Sequence, residues 1–212
     1  MILDYFPSII TLLVIQLLGV MSPGPDFAVV VRNSLIYGRK TAVLTAVGVS
    51  LGILVHLTYI LLGLGVVIAK TAWLFSAFKY LGAAYLMYIG IKGLLAKKQT
   101  TDYGDAPDFQ EISAFKAIST GFLTNAMNPK AMFFFLSLIS AFVTPNEPTL
   151  IVVIYGALIF ASTLVWFLIV AMCFSNKRLG LFFENFQYLV ERVTGGFLIL
   201  LGIKILFTKG NS

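Results

Sequence analysis

The chain has 212 residues, of which 59% are hydrophobic and 11% charged, against about 25% charged in an ordinary soluble domain. With a mean hydropathy of +0.95 it reads as a membrane protein, with room for about six spans of ~20 residues. The net charge of +6 fits basic loops rather than nucleic-acid binding, the longest polar stretch, Lys92 to Lys116, is too short for a soluble catalytic domain, and the single cysteine, Cys173, leaves no intrachain disulfide or cysteine-metal site.

Six apolar segments follow one another at roughly 7–36, 41–69, 72–91, 115–143, 149–173 and 188–207. All read as helices, because none alternates with period two over the length of a barrel strand. The first has no basic leader or Ala-x-Ala-like cleavage site before Gly19 and reads as a retained span rather than a signal peptide. It cannot be one continuous helix. Ser22-Pro23-Gly24-Pro25 interrupts it, and each proline removes an amide donor and clashes with the preceding turn. Asp26 follows at once and is the only acidic residue between Asp4 and Asp102. A carboxylate at membrane depth costs on the order of 3 kcal/mol and is usually functional. Broken backbone there is tolerated only where it is buried in protein or lines a cavity.

The second segment holds His56, the only histidine, four residues beyond Gly52 and eight beyond Gly48. It therefore lies on a small-residue face suited to close helix contact, within the chain or in a homodimer. It is either a titrating proton relay or a neutral ring bonded to a neighbouring carbonyl. In the third segment Lys79 sits too deep for a loop charge; it either snorkels to the interface or joins a charge cluster with Asp26. The fourth segment is broken at Asn128-Pro129, with Asn125 before the break and Lys130 after it. Trp166 in the fifth segment is the counterpart of His56 in a repeat, as a pocket wall or as packing. Turn residues separate the segments at Tyr37-Gly38-Arg39-Lys40, at Thr144-Pro145-Asn146-Glu147-Pro148 and at Asn176-Lys177-Arg178.

Basic residues set the orientation. Arg32, Arg39, Lys40, Lys92, Lys97, Lys98, Lys116, Lys177, Arg178 and Arg192 fall on one side, and Lys70, Lys204 and Lys209 on the other. Ten against three puts the odd-numbered loops in the cytoplasm and both termini in the periplasm.

The chain also repeats internally. Val20-Met21-Ser22-Pro23 matches Ala126-Met127-Asn128-Pro129, and the Tyr85–Lys92 stretch matches Phe197–Lys204, at offsets of 106 and 112. Each half has three spans, an odd number, so the second half inserts upside down relative to the first. The expected fold is all-α: a polytopic membrane protein of six transmembrane helices in two inverted three-helix repeats, with helices 1 and 4 broken. It forms one integral membrane domain over 1–212, with a first half to about residue 95, a cytoplasmic linker over about 96–114 and a second half from about 115. Matched breaks in such halves point to a binding site near the midplane.

The residues at the breaks suit an amino acid. Pro25 can start a half-helix whose bare amides and positive dipole end face the break. Asp26 can accept from a substrate ammonium, and Lys130 with half-helix amides can donate to its carboxylate. Asn125 and Asn128 surround the second break, and Pro23, Gly24, Pro25 and Pro129 shape the two. In this reading Asp26 handles substrate or proton; in the alternative it pairs with Lys130 as a structural or gating ion pair.

Met21-Ser22-Pro23-Gly24-Pro25-Asp26-Phe27, with Arg32-Asn33-Ser34 and Tyr37-Gly38-Arg39, resembles the opening signature of the lysine/threonine/homoserine exporter family. So do Lys79-Tyr80-Leu81-Gly82-Ala83-Ala84-Tyr85-Leu86 with Gly90, and Gly121-Phe122-Leu123-Thr124-Asn125 with Asn128-Pro129-Lys130-Ala131. The resemblance covers nearly the whole chain. It implies efflux of amino acids across the bacterial inner membrane, energised by the proton gradient or the membrane potential. Many members carry Leu-Pro-Gln-Phe where this chain has Ile139-Ser140-Ala141-Phe142, and glycine where it has Ser22. The departures resemble the threonine-efflux branch, with neutral, threonine- or homoserine-like substrates rather than lysine or arginine.

Other classes find little support. No Ser/His/Asp constellation, Walker loop or His-Glu-x-x-His motif occurs, so no enzyme, cofactor, metal or nucleic-acid partner is expected. The expected partners are an amino acid and membrane lipid, with a homodimer as a further option. A scaffolding or channel-like membrane subunit is the alternative, but such a subunit does not need ionisable residues at matched midplane breaks.

Overall fold

The computed structural model describes residues 2–59, 72–95, 111–142 and 148–207. These residues form a short 3₁₀ turn (Ile2–Tyr5) and seven helices, with no strand among them: α1 (Phe6–Met21), α2 (Pro25–Tyr59), α3 (Ala72–Leu94), α4 (Ala114–Ala126), α5 (Pro129–Phe142), α6 (Thr149–Phe174) and α7 (Lys177–Phe207). The first and fourth apolar segments are broken where their prolines stand, between Met21 and Pro25 and between Ala126 and Pro129. The expected second span is described only to Tyr59, and the linker only from residue 111.

α2 is folded at Gly38, whose φ of 76° is open to glycine and strained for any residue with a Cβ. Asn33 Nδ2 donates to Thr45 Oγ1 at 2.9 Å. Twelve residues of straight helix would separate the two by about 18 Å, so the second arm, 39–59, lies back along the first. The turn expected over Tyr37–Lys40 is thus made at a single glycine.

That second arm packs on α4 through glycines. A Cβ on Gly52 would lie 2.8 Å from the Phe122 carbonyl oxygen and from Asn125 Cβ. Gly48 meets the Ile118 carbonyl, and Gly121 meets the Thr45 carbonyl in return. The Gly48/Gly52 face is therefore taken up inside the chain, and a homodimer would have to use other surfaces. α3 packs on α7 in the same manner, with Gly90 and Gly93 against Gly195, and Gly202 against Ala83 and Met87.

Two apolar cores result. Ile53, Leu57, Phe134, Phe135, Leu138, Ile151, Tyr155 and Ile159 belong to one. Phe27, Val30, Ala46, Val49, Trp166, Phe167, Val170 and Phe174 belong to the other. α2 and α6 each contribute to both cores with opposite ends, so Thr163 lies between them at the level of the breaks. Apolar side chains also cover the outside: Phe115 and Phe207 are each 82% exposed, an arrangement suited to lipid contact. Among the described residues α2 and α6 are long and apolar enough to cross a membrane, and α1 is a shorter apolar helix.

Candidate functional site

The first break exposes three carbonyls, and each has a partner. Gly24 accepts from the Ala28 amide at 2.9 Å, which starts α2. Ser22 and Pro23 accept from the Lys130 ammonium, Pro23 at 3.0 Å. Pro25 at the first helical position gives up no hydrogen bond, because a first-turn amide has no intrahelical acceptor. Asp26 is the next residue.

The second break is organised by Asn128. Its Oδ1 caps α5 by accepting from the Lys130 amide at 2.9 Å, and its carbonyl accepts from the Met132 amide at 3.0 Å. With the oxygen committed to the cap, Nδ2 faces the other way and donates to Asp26 Oδ2 at 3.0 Å. Asn125 Nδ2 donates to the same oxygen at 2.9 Å. The Asn125 carbonyl, left free as α4 ends, lies 2.9 Å from the Asn128 amide and 3.0 Å from His56 Nε2. A carbonyl only accepts, so Nε2 carries a proton. Nδ1 lies 3.0 Å from the Tyr59 hydroxyl, and the neutral ring satisfies both contacts.

Asp26, Asn125, Asn128 and Lys130 border one cavity. Gln16, Asp26, Asn125, Asn128, Lys130 and Thr163 supply its polar side, and Ile53, Phe134, Phe135 and Phe167 its apolar side. Gln16 Nε2 donates to Thr163 Oγ1 at 3.0 Å. Three acceptor oxygens of the lining, Gln16 Oε1, Asp26 Oδ1 and Asn125 Oδ1, are buried without a hydrogen-bond donor. Each such group costs about 1–3 kcal/mol until a donor reaches it. A second cavity meets the first at Ser22, Gly24 and Lys130 and is bordered by Tyr85, Tyr88, Lys92 and Glu191.

The structure thus gathers Asp26, Gly24, Asn125, Asn128 and Lys130 around one space, with Pro23 and Pro25 on the wall of the second cavity. Pro129 starts α5. His56 does not line either cavity but holds the Asn125 carbonyl. Trp166 is buried in the second core and lines neither cavity. Lys79 belongs to α3, and its side chain lies outside the described residues, as do those of Ile139, Ser140 and Ala141. Both hydrogen bonds of the Lys130 ammonium go to backbone carbonyls rather than to the Asp26 carboxylate.

Sequence reasoning passed over Gln16, Thr163 and Glu191. A signal existed for two of them: Gln16 is the sole carboxamide in the apolar run 7–21, and Glu191 the sole acid within 188–207.

Comparison with known proteins gives a consistent result. A family model described as LysE type translocator matches residues 17–209. The chain is 30% identical over 203 residues to a threonine efflux protein of Escherichia coli (strain K12), covering 94% of this chain and 98% of that one. It is 29% identical over 202 residues to a threonine efflux protein of Salmonella typhi, covering 94% and 97%. An uncharacterized membrane protein of Bacillus subtilis is 29% identical over 207 residues, with 93% and 97% covered. No solved structure matches the chain.

Proposed function

We propose that this chain, which belongs to the LysE type translocator family, exports neutral amino acids bearing a hydroxyl group, of the threonine and homoserine kind, across the bacterial inner membrane by proton-coupled secondary transport. The observation that carries this reading is the set of unpartnered acceptors around the cavity at the two helix breaks. A substrate ammonium has three N–H donors; Asp26 Oδ1 and Asn125 Oδ1 are placed to take two of them. Its carboxylate suits the first-turn amides of α2 and α5, where two positive dipole ends converge. Its hydroxyl suits Gln16 Oε1. The relatives named for threonine efflux support the same substrate class.

In this reading the chain is a single domain with six spans in two inverted repeats, and α1/α2 and α4/α5 are the broken pairs. α4 has 13 residues and α5 has 14. Each reaches about 20 Å, short of the ~30 Å hydrocarbon core; end to end they cross it. The basic residues place both termini in the periplasm. The second cavity, bordered by Lys92 and Glu191, then opens toward the cytoplasm, the side from which an exporter loads. Asp26 takes the ammonium or the coupling proton, and the Asn125–His56–Tyr59 chain of hydrogen bonds holds the α4 end in place.

Counterflow tests the reading. Purified protein in vesicles preloaded with threonine should accumulate labelled threonine transiently, and an imposed proton gradient should drive net movement. A channel-like subunit gives downhill leak without accumulation and a scaffold gives neither. Either result overturns the proposal.

A further inference from the structure

We propose that the Ser22 and Pro23 carbonyls at the end of α1 form a monovalent-cation site that the chain fills with its own ammonium, that of Lys130, so that export needs no sodium ion. A helix end leaves its last carbonyls without intrahelical donors and carries a partial negative charge. In broken-helix transporters such carbonyls hold the coupling sodium ion. Here the same kind of ligand set is occupied from across the molecule, because Lys130 of α5 donates to both carbonyls.

The local sequence is shaped around that ammonium. Pro25 has no amide hydrogen with which to close a turn onto the Ser22 carbonyl in competition with the ammonium. Gly24 leaves space for the lysine chain: a Cβ there would lie 3.2 Å from Lys130 Cδ and 3.3 Å from Nζ. Lys130 also interacts electrostatically with two carboxylates, Asp26 and Glu191, which border different cavities. One fixed cation thus answers both acids, as a bound sodium ion would, at the point where the two cavities meet. An ammonium tethered by a covalent chain is present at every stage of a cycle and adds no ion to the transport stoichiometry. The transport consequence rests on the export reading; the site itself rests on these contacts alone.

The test uses the purified full-length chain. The thermal midpoint of the wild type should be the same in sodium chloride as in choline chloride. Lys130→Ala, with the site vacated, should be stabilised saturably by sodium or ethylammonium and not by choline. Threonine counterflow by Lys130→Ala should fall about tenfold or more in choline, the loss expected for a charge-assisted contact, and recover with ethylammonium. Lys130→Met carries the same test if Lys130→Ala cannot be isolated. Stabilisation or stimulation of the wild type by sodium overturns the proposal. So does a vacated variant that ignores both cations, or one that exchanges at the wild-type rate in choline. A wild type without counterflow sinks the export reading instead, and the stability comparison then decides the cation site.

Discussion

Asp26 and Lys130 hold the same place in two helices: each directly follows a helix-starting proline, Pro25 in α2 and Pro129 in α5. Their charges are opposite, and each is spent on the other's break. Asp26 accepts from Asn125 and Asn128 at the second break, and Lys130 donates to Ser22 and Pro23 at the first. The two breaks are therefore stitched together reciprocally, by hydrogen bonds rather than by a direct ion pair.

Asp26→Asn should abolish proton-coupled efflux while leaving insertion intact, since losing a buried charge eases insertion. Exchange without a gradient separates the roles. If Asp26 meets the substrate ammonium, apparent affinity falls about thirtyfold, the ~2 kcal/mol of a hydrogen bond to a charged group. If it carries only the proton, exchange survives. Normal exchange together with normal coupled efflux would make Asp26 structural.

Asn128 has two jobs that substitution can split. Asn128→Ala removes the α5 cap and should cost about 1 kcal/mol, or about 3 °C in thermal midpoint for a chain of this size. Asn128→Ser restores the cap but is too short to donate to Asp26. Thermal unfolding should recover in the serine variant, and transport should not; parallel recovery of both would refute the contact to Asp26 as a functional one.

Gly52 and Gly156 should respond to alanine with opposite signs. At Gly52 the new Cβ meets Phe122 O and Asn125 Cβ at 2.8 Å, which should cost about 1–3 kcal/mol by overpacking and push Asn125 away from Asp26. At Gly156 the nearest atom is Leu57 Cδ1 at 3.6 Å, and the gain in helix propensity of up to ~1 kcal/mol should be retained. Thermal midpoints and threonine affinity of the two variants check this, with loss of affinity expected only for Gly52→Ala.

Gln16→Met keeps length and removes the unpartnered oxygen. Wild-type protein should prefer threonine over 2-aminobutyrate, and the variant should lose about tenfold of that preference through threonine alone, the value of one neutral hydrogen bond. Competition counterflow measures the ratio. An unchanged ratio would remove Gln16 from substrate recognition.

Gly104→Cys in a Cys173→Ser background tests topology. The proposed topology has the 96–114 linker in the cytoplasm, so an impermeant maleimide should fail to label it in intact cells and succeed after permeabilisation. Labelling of intact cells would reverse the orientation.

The sequence alone determined the class of molecule and the address of its site. Composition pointed to a bilayer, because 59% apolar residues with 11% charged ones leave far fewer charges to cover an aqueous surface than the ~25% of an ordinary soluble domain. Pro23, Pro25 and Pro129 determined where helices must stop, because a missing amide and a ring clash are local effects that need no tertiary partner. Asp26 marked the site because an isolated carboxylate among apolar neighbours is costly in any packing.

Tertiary structure decided which groups use one another. Pairing of the breaks by sequence match sets Pro23 against Pro129, whereas the helix starts set Pro25 against Pro129 and so bring Asp26 and Lys130 into equivalence. Gln16 and Thr163 are 147 residues apart yet bonded, and no periodicity within either helix announces such a contact. Lys130 was legible as a partner for an anion. That its ammonium goes to carbonyls follows only from where the end of α1 lies, because three N–H donors on a flexible chain take whichever acceptors the fold brings within reach.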